Sequence, residues 1–418
     1  MKVLPASGPR RDLAIALLFL LAAAVFRFPR LWFPPEEIFD EVYHATAALS
    51  YLRGETPVEW VHPPTAKVLI SFGVWVFGYD SWAWRLAPAA AGTLLAPVFY
   101  LLARRAVPTE RAAILAAALL VCDGVYLVQS RTAMTNIFAV LFQIAAALAL
   151  MRVAAAERLP VRGMLLLGVC LGLALSTRWT SLWATGFLGL VLLVARRRRV
   201  FRPRELVLTL TAFVALPVVV YCASYWIYPA IRPRDLLHLA NTQRSMWHYH
   251  ATLNATHSYF SPWYTWPWLV RPTWYYYKQD AQNVYGVVAL GNPALWWASV
   301  PVTLAALVSG LRARDWRRLF AGLGFVCLYV PWGLAPRTLN FSHYLFEALP
   351  YACLSLGLFL DRGLDKPQLR PLVYAYLAAT ALLFLFFVPI LTAYPVPIRW
   401  FHNEWLGHNP WLWFTNWI

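Results

Sequence analysis

A succession of long apolar runs constrains this chain more than any other feature. Runs of roughly 17–22 residues lie near 12–33, 85–103, 111–128, 132–151, 163–177, 179–195, 206–228, 288–311, 318–335, 343–360 and 371–390. About 20 apolar residues in a helix cross the hydrocarbon core of a bilayer, and backbone groups in lipid must be satisfied within the segment. The runs therefore predict an all-α polytopic membrane protein with about eleven transmembrane helices. Only 13% of the 418 residues are charged, where a soluble domain carries about 25%. Arg178 splits one overlong apolar stretch, which is read as two short spans meeting at that residue.

Charge sets the expected orientation. With the N-terminus inside, the inner segments hold Lys2, Arg10 and Arg11; Arg104, Arg105 and Arg111; Arg152, Arg158 and Arg162; and Arg196 to Arg199 with Arg202 and Arg204. They also hold Arg312, Arg314, Arg317 and Arg318, then Arg362, Lys366 and Arg370. Well over half of the 36 Lys and Arg thus fall in six short loops, as the positive-inside rule requires. An odd number of spans then places the C-terminus outside the cell. The net charge of +17 is explained by these loops and does not call for a nucleic-acid partner. Lys2, Arg10 and Arg11 ahead of an apolar stretch also resemble a secretion signal, but the run is long enough to span, so an uncleaved first helix is expected. The five cysteines lie far apart inside apolar runs and read as small buried hydrophobes.

All nine histidines fall on the predicted outer side, with the two long loops at about 34–84 and 229–287 and a tail at about 391–418. No separate soluble domain or internal repeat interrupts residues 1–418, read as one membrane-embedded domain. The first outer loop opens with Asp40 and Glu41. The bland reading is a helix start, with Asp40 as cap and Glu41 in the first turn. The functional one is a carboxylate that accepts a proton from a substrate hydroxyl. His62-Pro63-Pro64 then leads to Lys67, which either snorkels to headgroups or neutralises a phosphate. Arg85, Arg131, Arg178 and Arg337 stand at outer ends of spans, and Asp123 is close enough to Arg131 in sequence to suggest an ion pair. Cations gathered at one rim suit an anionic group carried on a lipid. The aromatic stretch from Trp247 to Tyr277, which includes Ser261 to Trp268, reads first as an interfacial belt, and aromatic faces also stack on sugars. Asn254-Ala255-Thr256 fits a glycosylation acceptor, which matters only in a eukaryotic secretory compartment. No metal-binding helix motif, phosphate-binding glycine loop or nucleophile elbow occurs. No cofactor is indicated; a divalent cation is compatible with the chemistry, but no residue pattern calls for one.

Nine collinear blocks resemble the protein O-mannosyltransferases, membrane glycosyltransferases of the GT-C fold. They are FDEVYH at 39–44, HPPTAK at 62–67, WRLAPAAAGTLLAPVFYLLAR at 84–104, DGVYLVQSR at 123–131 and GLALSTRWTSLW at 172–183. SPWYTWPW at 261–268, RPTWYYY at 271–277, GNPALWW at 291–297 and PWGLAPRTLNFSHYLFEALP at 331–350 complete them. The resemblance implies an enzyme that moves a sugar, mannose by family, from a polyprenyl phosphate to Ser or Thr hydroxyls of proteins, with inversion. It assigns the catalytic signature to Asp40 and Glu41, with Asp40 as the base. Lys67, Arg178 and Arg337 become candidates for the donor phosphate, and His62, Arg85, Asp123, Arg131, His343 and Tyr344 for the substrate rim. Asn136 stands where many relatives carry aspartate, which leaves the role of that position open. The 229–287 loop is too short for the β-trefoil insert of eukaryotic relatives, so a bacterial-type enzyme of the plasma membrane, facing outward, is expected. A lipid-directed transferase of the aminoarabinose type is the alternative within the fold. A transporter or flippase is disfavoured because the spans are nearly charge-free, and the intact acidic pair speaks against a non-catalytic scaffold.

Overall fold

In the computed structural model, which describes residues 8–335, 337–403 and 409–418, every apolar run expected to span falls on a helix. Lys2 and His408 lie outside the described residues. Five helices are long and apolar enough to cross a membrane: Ser81–Ala106, Asn136–Ala154, Pro203–Ser224, Pro293–Ala313 and Pro367–Leu391. A sixth crossing is available if Glu110–Val121 and Gly124–Arg131, bent by 59°, form one broken span. The break follows from chemistry at Asp123, whose carboxylate accepts from Tyr126 N at 2.8 Å and starts a new helix. Thr109, Asp80 and Asn292 cap other helices in the same way.

Small residues bring the helices together. The Ser81–Ala106 helix packs on Pro9–Arg27 and Asn136–Ala154, and Glu110–Val121 packs on Leu349–Asp365. At Gly357 a Cβ would come within 2.5 Å of the Ala112 carbonyl, so only glycine permits that approach. The first helix ends at Arg27, several residues short of the expected 33. Arg131 closes that end by donating to the carbonyls of Arg27 and Pro29 at 2.8 Å and Phe26 at 3.1 Å. The expected Arg131–Asp123 ion pair does not form: Arg131 serves these carbonyls, and Asp123 accepts from Asn292 N at 3.1 Å and Trp296 Nε1 at 2.8 Å.

The long segments expected on the outer side carry helices of their own. The 34–84 loop contains two helices, Glu41–Arg53 and Thr65–Phe77, and the 229–287 loop contains Leu236–Thr252. The all-α expectation needs a correction, because a three-stranded antiparallel sheet joins β1 (Thr273–Gln279), β2 (Asn283–Ala289) and β3 (Val396–Pro397). Aromatic and β-branched residues fill β1 and β2. Asp280 makes the turn between them by accepting from Gln282 N and Asn283 N, both at 2.7 Å. Through β3 the C-terminal tail docks on this hairpin, and Trp417 Nε1 reaches the Leu269 carbonyl at 2.7 Å.

Candidate active site

Asp40 occupies the N-cap position of the Glu41–Arg53 helix, yet its carboxylate makes no capping bond. It opens instead into a cavity of about 560 Å³, where Glu59, His62, Asn136, Arg178, His250, Arg337 and Tyr344 also form the wall. Asp40 is half-buried and stands beside Phe39 and Phe341. Burial raises its pKa to about 6, with Arg337 and Arg178 pulling it down and Glu59 pushing it up.

Its neighbour Glu41 points the other way. Arg85 grips it through Nε at 2.8 Å and Nη2 at 2.6 Å, and the amides of Ala133 and Ile38 donate to it at 2.8 and 3.1 Å. Arg85 spends its remaining donors on the carbonyls of Leu31, Pro34 and Glu36. Both side chains are buried away from the cavity wall. The acidic pair is thus divided into a carboxylate that faces the cavity and one that ties three segments together.

The cations also divide. Lys67 is fully buried, hydrogen-bonded to Glu59 and donating to the His62 carbonyl at 2.7 Å. Arg178 and Arg337 face the cavity. Arg178 follows the end of the Val161–Leu175 helix, at the interruption expected from sequence. Its Nε lies 3.5 Å from Glu347, its Nη1 donates to Asn136, and its guanidinium sits 5.1 Å above the Tyr344 ring. Arg337 donates through Nε to the Leu339 carbonyl at 2.7 Å and approaches His250 Nδ1 at 3.5 Å. His343 stacks behind the wall on Phe341 and against Tyr344. Asp123, Arg131 and Arg85 are structural rather than wall residues. Among the described residues no group of three or more His, Cys, Asp or Glu is placed to hold a metal.

Two family descriptions match the chain: dolichyl-phosphate-mannose-protein mannosyltransferase over residues 16–84 and 80–228, and the C-terminal four-transmembrane region of protein O-mannosyltransferase over 236–409. The chain belongs to the protein O-mannosyltransferase family. Polyprenol-phosphate-mannose–protein mannosyltransferase from Mycolicibacterium smegmatis (strain ATCC 700084 / mc(2)155) is 29% identical over 97% of this chain and 92% of its own. The Mycobacterium tuberculosis (strain ATCC 25618 / H37Rv) protein of that name is 28% identical over 96% and 91%. The fold superposes on the Saccharomyces cerevisiae Pmt1-Pmt2 complex bound to the sugar donor, with TM-score 0.80 at 15% identity, covering 94% of this chain and 91% of that one. ArnT from Cupriavidus metallidurans bound to undecaprenyl phosphate gives 0.63 at 16% identity, covering 92% and 76%. This mannosyltransferase is therefore an integral membrane glycosyltransferase of the GT-C fold.

Several wall residues of this protein O-mannosyltransferase were not singled out from the sequence. Glu59, His44 and His250 join His62 through ring contacts of 5.8 Å (His44) and 5.4 Å (His250) and a Glu59–His62 bond of 2.7 Å. Glu347, buried under Arg178, also accepts from Thr180 at 2.8 Å and Gln143 at 3.1 Å. The available signal was the scarcity of acids: only 19 occur in the chain, and each buried one needs a partner.

Proposed function

We propose that the chain transfers mannose from a polyprenyl-phosphate donor to Ser or Thr hydroxyls of proteins on the outer face of the plasma membrane, with inversion. One observation carries this reading: the cavity brings together Asp40, whose carboxylate makes no capping bond and no ion pair among the described residues, and two guanidinium groups, Arg178 and Arg337. The acceptor oxygen attacks the anomeric carbon as the bond from that carbon to the phosphate oxygen breaks. Asp40 takes the hydroxyl proton, and the leaving polyprenyl phosphate carries away the bonding electrons. A phosphate monoester leaves readily, so no strong general acid is needed, in contrast to the two-carboxylate arrangement of glycoside hydrolysis. Arg178 and Arg337 stabilise charge as it develops on the phosphate. Glu347 and Asn136 hold the Nε and Nη1 edges of Arg178, which fixes the direction of its fork.

In this reading Glu41 acts through position, because its clasp with Arg85 fixes the turn that ends in Asp40. Lys67 likewise acts through Glu59 rather than on the phosphate. An eleven-span topology with a cytoplasmic N-terminus, supported by the basic inner loops, puts the cavity on the outer side. The names of the Mycolicibacterium and Mycobacterium relatives support the donor and the protein acceptor. The test is to incubate membranes containing the chain with radiolabelled polyprenyl-phosphate mannose and a Ser/Thr peptide. Label in the peptide is expected, and label found only in lipid would move the reading to a lipid-directed transferase.

A further inference from the structure

Glu59 and His62 in the cavity wall and Lys67 buried behind it form an array whose arrangement fixes one ring nitrogen. Glu59 Oε1 receives both the backbone N–H of His62, at 3.0 Å, and its Nδ1, at 2.7 Å. Glu59 Oε2 is hydrogen-bonded to the buried ammonium of Lys67, which also donates to the His62 carbonyl at 2.7 Å. A carboxylate acceptor requires Nδ1 to carry the proton. A Glu–His pair by itself favours an imidazolium, but here the ammonium offsets the carboxylate. Burial would raise Glu59, yet Lys67 and the His62 bond hold it well below the ordinary range. Burial, with Arg178 and Lys67, keeps His62 below its ordinary value despite Glu59. The ring is then neutral and its Nε2 bears a lone pair. That nitrogen has no hydrogen-bond partner among the described residues, and 23% of the side chain remains accessible at the cavity.

We propose that His62 Nε2 accepts a hydrogen bond from a hydroxyl of the transferred sugar, with Glu59 and Lys67 as positioning residues that set its tautomer. The inference rests on the sugar-transfer reading above. The sugar, rather than the acceptor, is the partner because His62 lies on the histidine wall next to the phosphate-binding cations: its ring meets His250 at 5.4 Å, and His250 meets Arg337 at 3.5 Å. A sugar bonded to a phosphate held by Arg337 presents its hydroxyls to that wall. An acceptor-only nitrogen selects a hydroxyl over a hydrogen, because it is left unpaired when the hydroxyl is missing.

The experiment measures kcat/KM of the full chain with polyprenyl-phosphate mannose and with analogues lacking one sugar hydroxyl each. Wild type is expected to lose about 10- to 100-fold with one particular deoxy donor, the range for leaving a polar partner unsatisfied. His62→Ala should lose a similar factor with the natural donor and no longer distinguish it from that deoxy analogue. His62→Gln, whose amide oxygen can accept, should recover part of both rate and discrimination, and it gives the same comparison if the alanine variant does not fold. Discrimination that persists undiminished in the folded variants, or that is missing from wild type, would overturn the proposal. Failure of wild type to transfer mannose from the natural donor would instead overturn the underlying function.

Discussion

Arg85 holds Glu41 in a two-pronged clasp, at 2.8 Å through Nε and 2.6 Å through Nη2, while Asp40, one residue earlier, makes no capping bond and faces the cavity. Adjacent residues near a helix start point about 100° apart around the axis. One carboxylate can therefore be committed to structure and the other left for chemistry.

Asp40→Asn is expected to reduce sugar transfer by at least about 100-fold, the lower range for loss of a general base. The fold should survive, because the amide is isosteric and the carboxylate makes no capping bond. Burial raises the folded pKa of Asp40 to about 6 from an unfolded 3.8, so its ionised form destabilises the fold above that range. The variant should unfold at an equal or higher temperature than wild type at pH 7. Full turnover would remove Asp40 as the base, and a lower unfolding temperature would contradict the burial argument.

The same raised pKa sets a pH profile. The base must be unprotonated, so kcat/KM should fall about tenfold per pH unit below about 6 and level off above it. Steady-state rates across pH 4.5–8 (roughly the range in which such a base titrates) check this. A profile flat through pH 5 would mean that another group takes the proton.

Glu41→Ala and Arg85→Ala each leave a buried charge without its partner and should cost about 3–5 kcal/mol in stability. The double variant should cost less than the sum of the two single ones. Thermal unfolding in detergent measures the cycle, and additive losses would show that the clasp contributes no coupling.

Removal of the cations should separate two roles. Arg178→Ala and Arg337→Ala are expected to weaken donor binding and to slow transfer, seen as a rise in donor KM and a fall in kcat. Arg178→Lys should recover little, because an ammonium cannot keep the contacts to Glu347 and Asn136 while facing a phosphate. Lys67→Ala strands Glu59 in the interior and should cost about 3–5 kcal/mol in stability, with any effect on transfer arising through His62 rather than through donor-phosphate binding. A donor KM for Lys67→Ala that rises as far as that of Arg178→Ala would return Lys67 to the phosphate site.

Helix positions are legible in the sequence because hydrophobic length is a local property, but among the described residues only five helices are by themselves long and apolar enough to cross a bilayer. The interruption at Arg178 could be read for the same reason. The hairpin of β1 and β2 is not evident in the sequence, because the aromatic Thr273–Gln279 continues the interfacial belt and the β-branched Asn283–Ala289 runs into the apolar stretch that follows, until the two are paired. Asp40, Glu41, Lys67, Arg85, Arg178 and Arg337 were all visible as ionisable groups near one face. Their division into wall and support depended on partners far away in the chain: Arg85 lies 44 residues from Glu41, and Glu347 accepts a bond from Thr180 across 167 residues. Composition and spacing decide that charges gather at a membrane face, because lipid excludes them from elsewhere. Which of them is neutralised and which stays available is decided only by packing, because desolvation and pairing act across space and leave no mark on the local sequence.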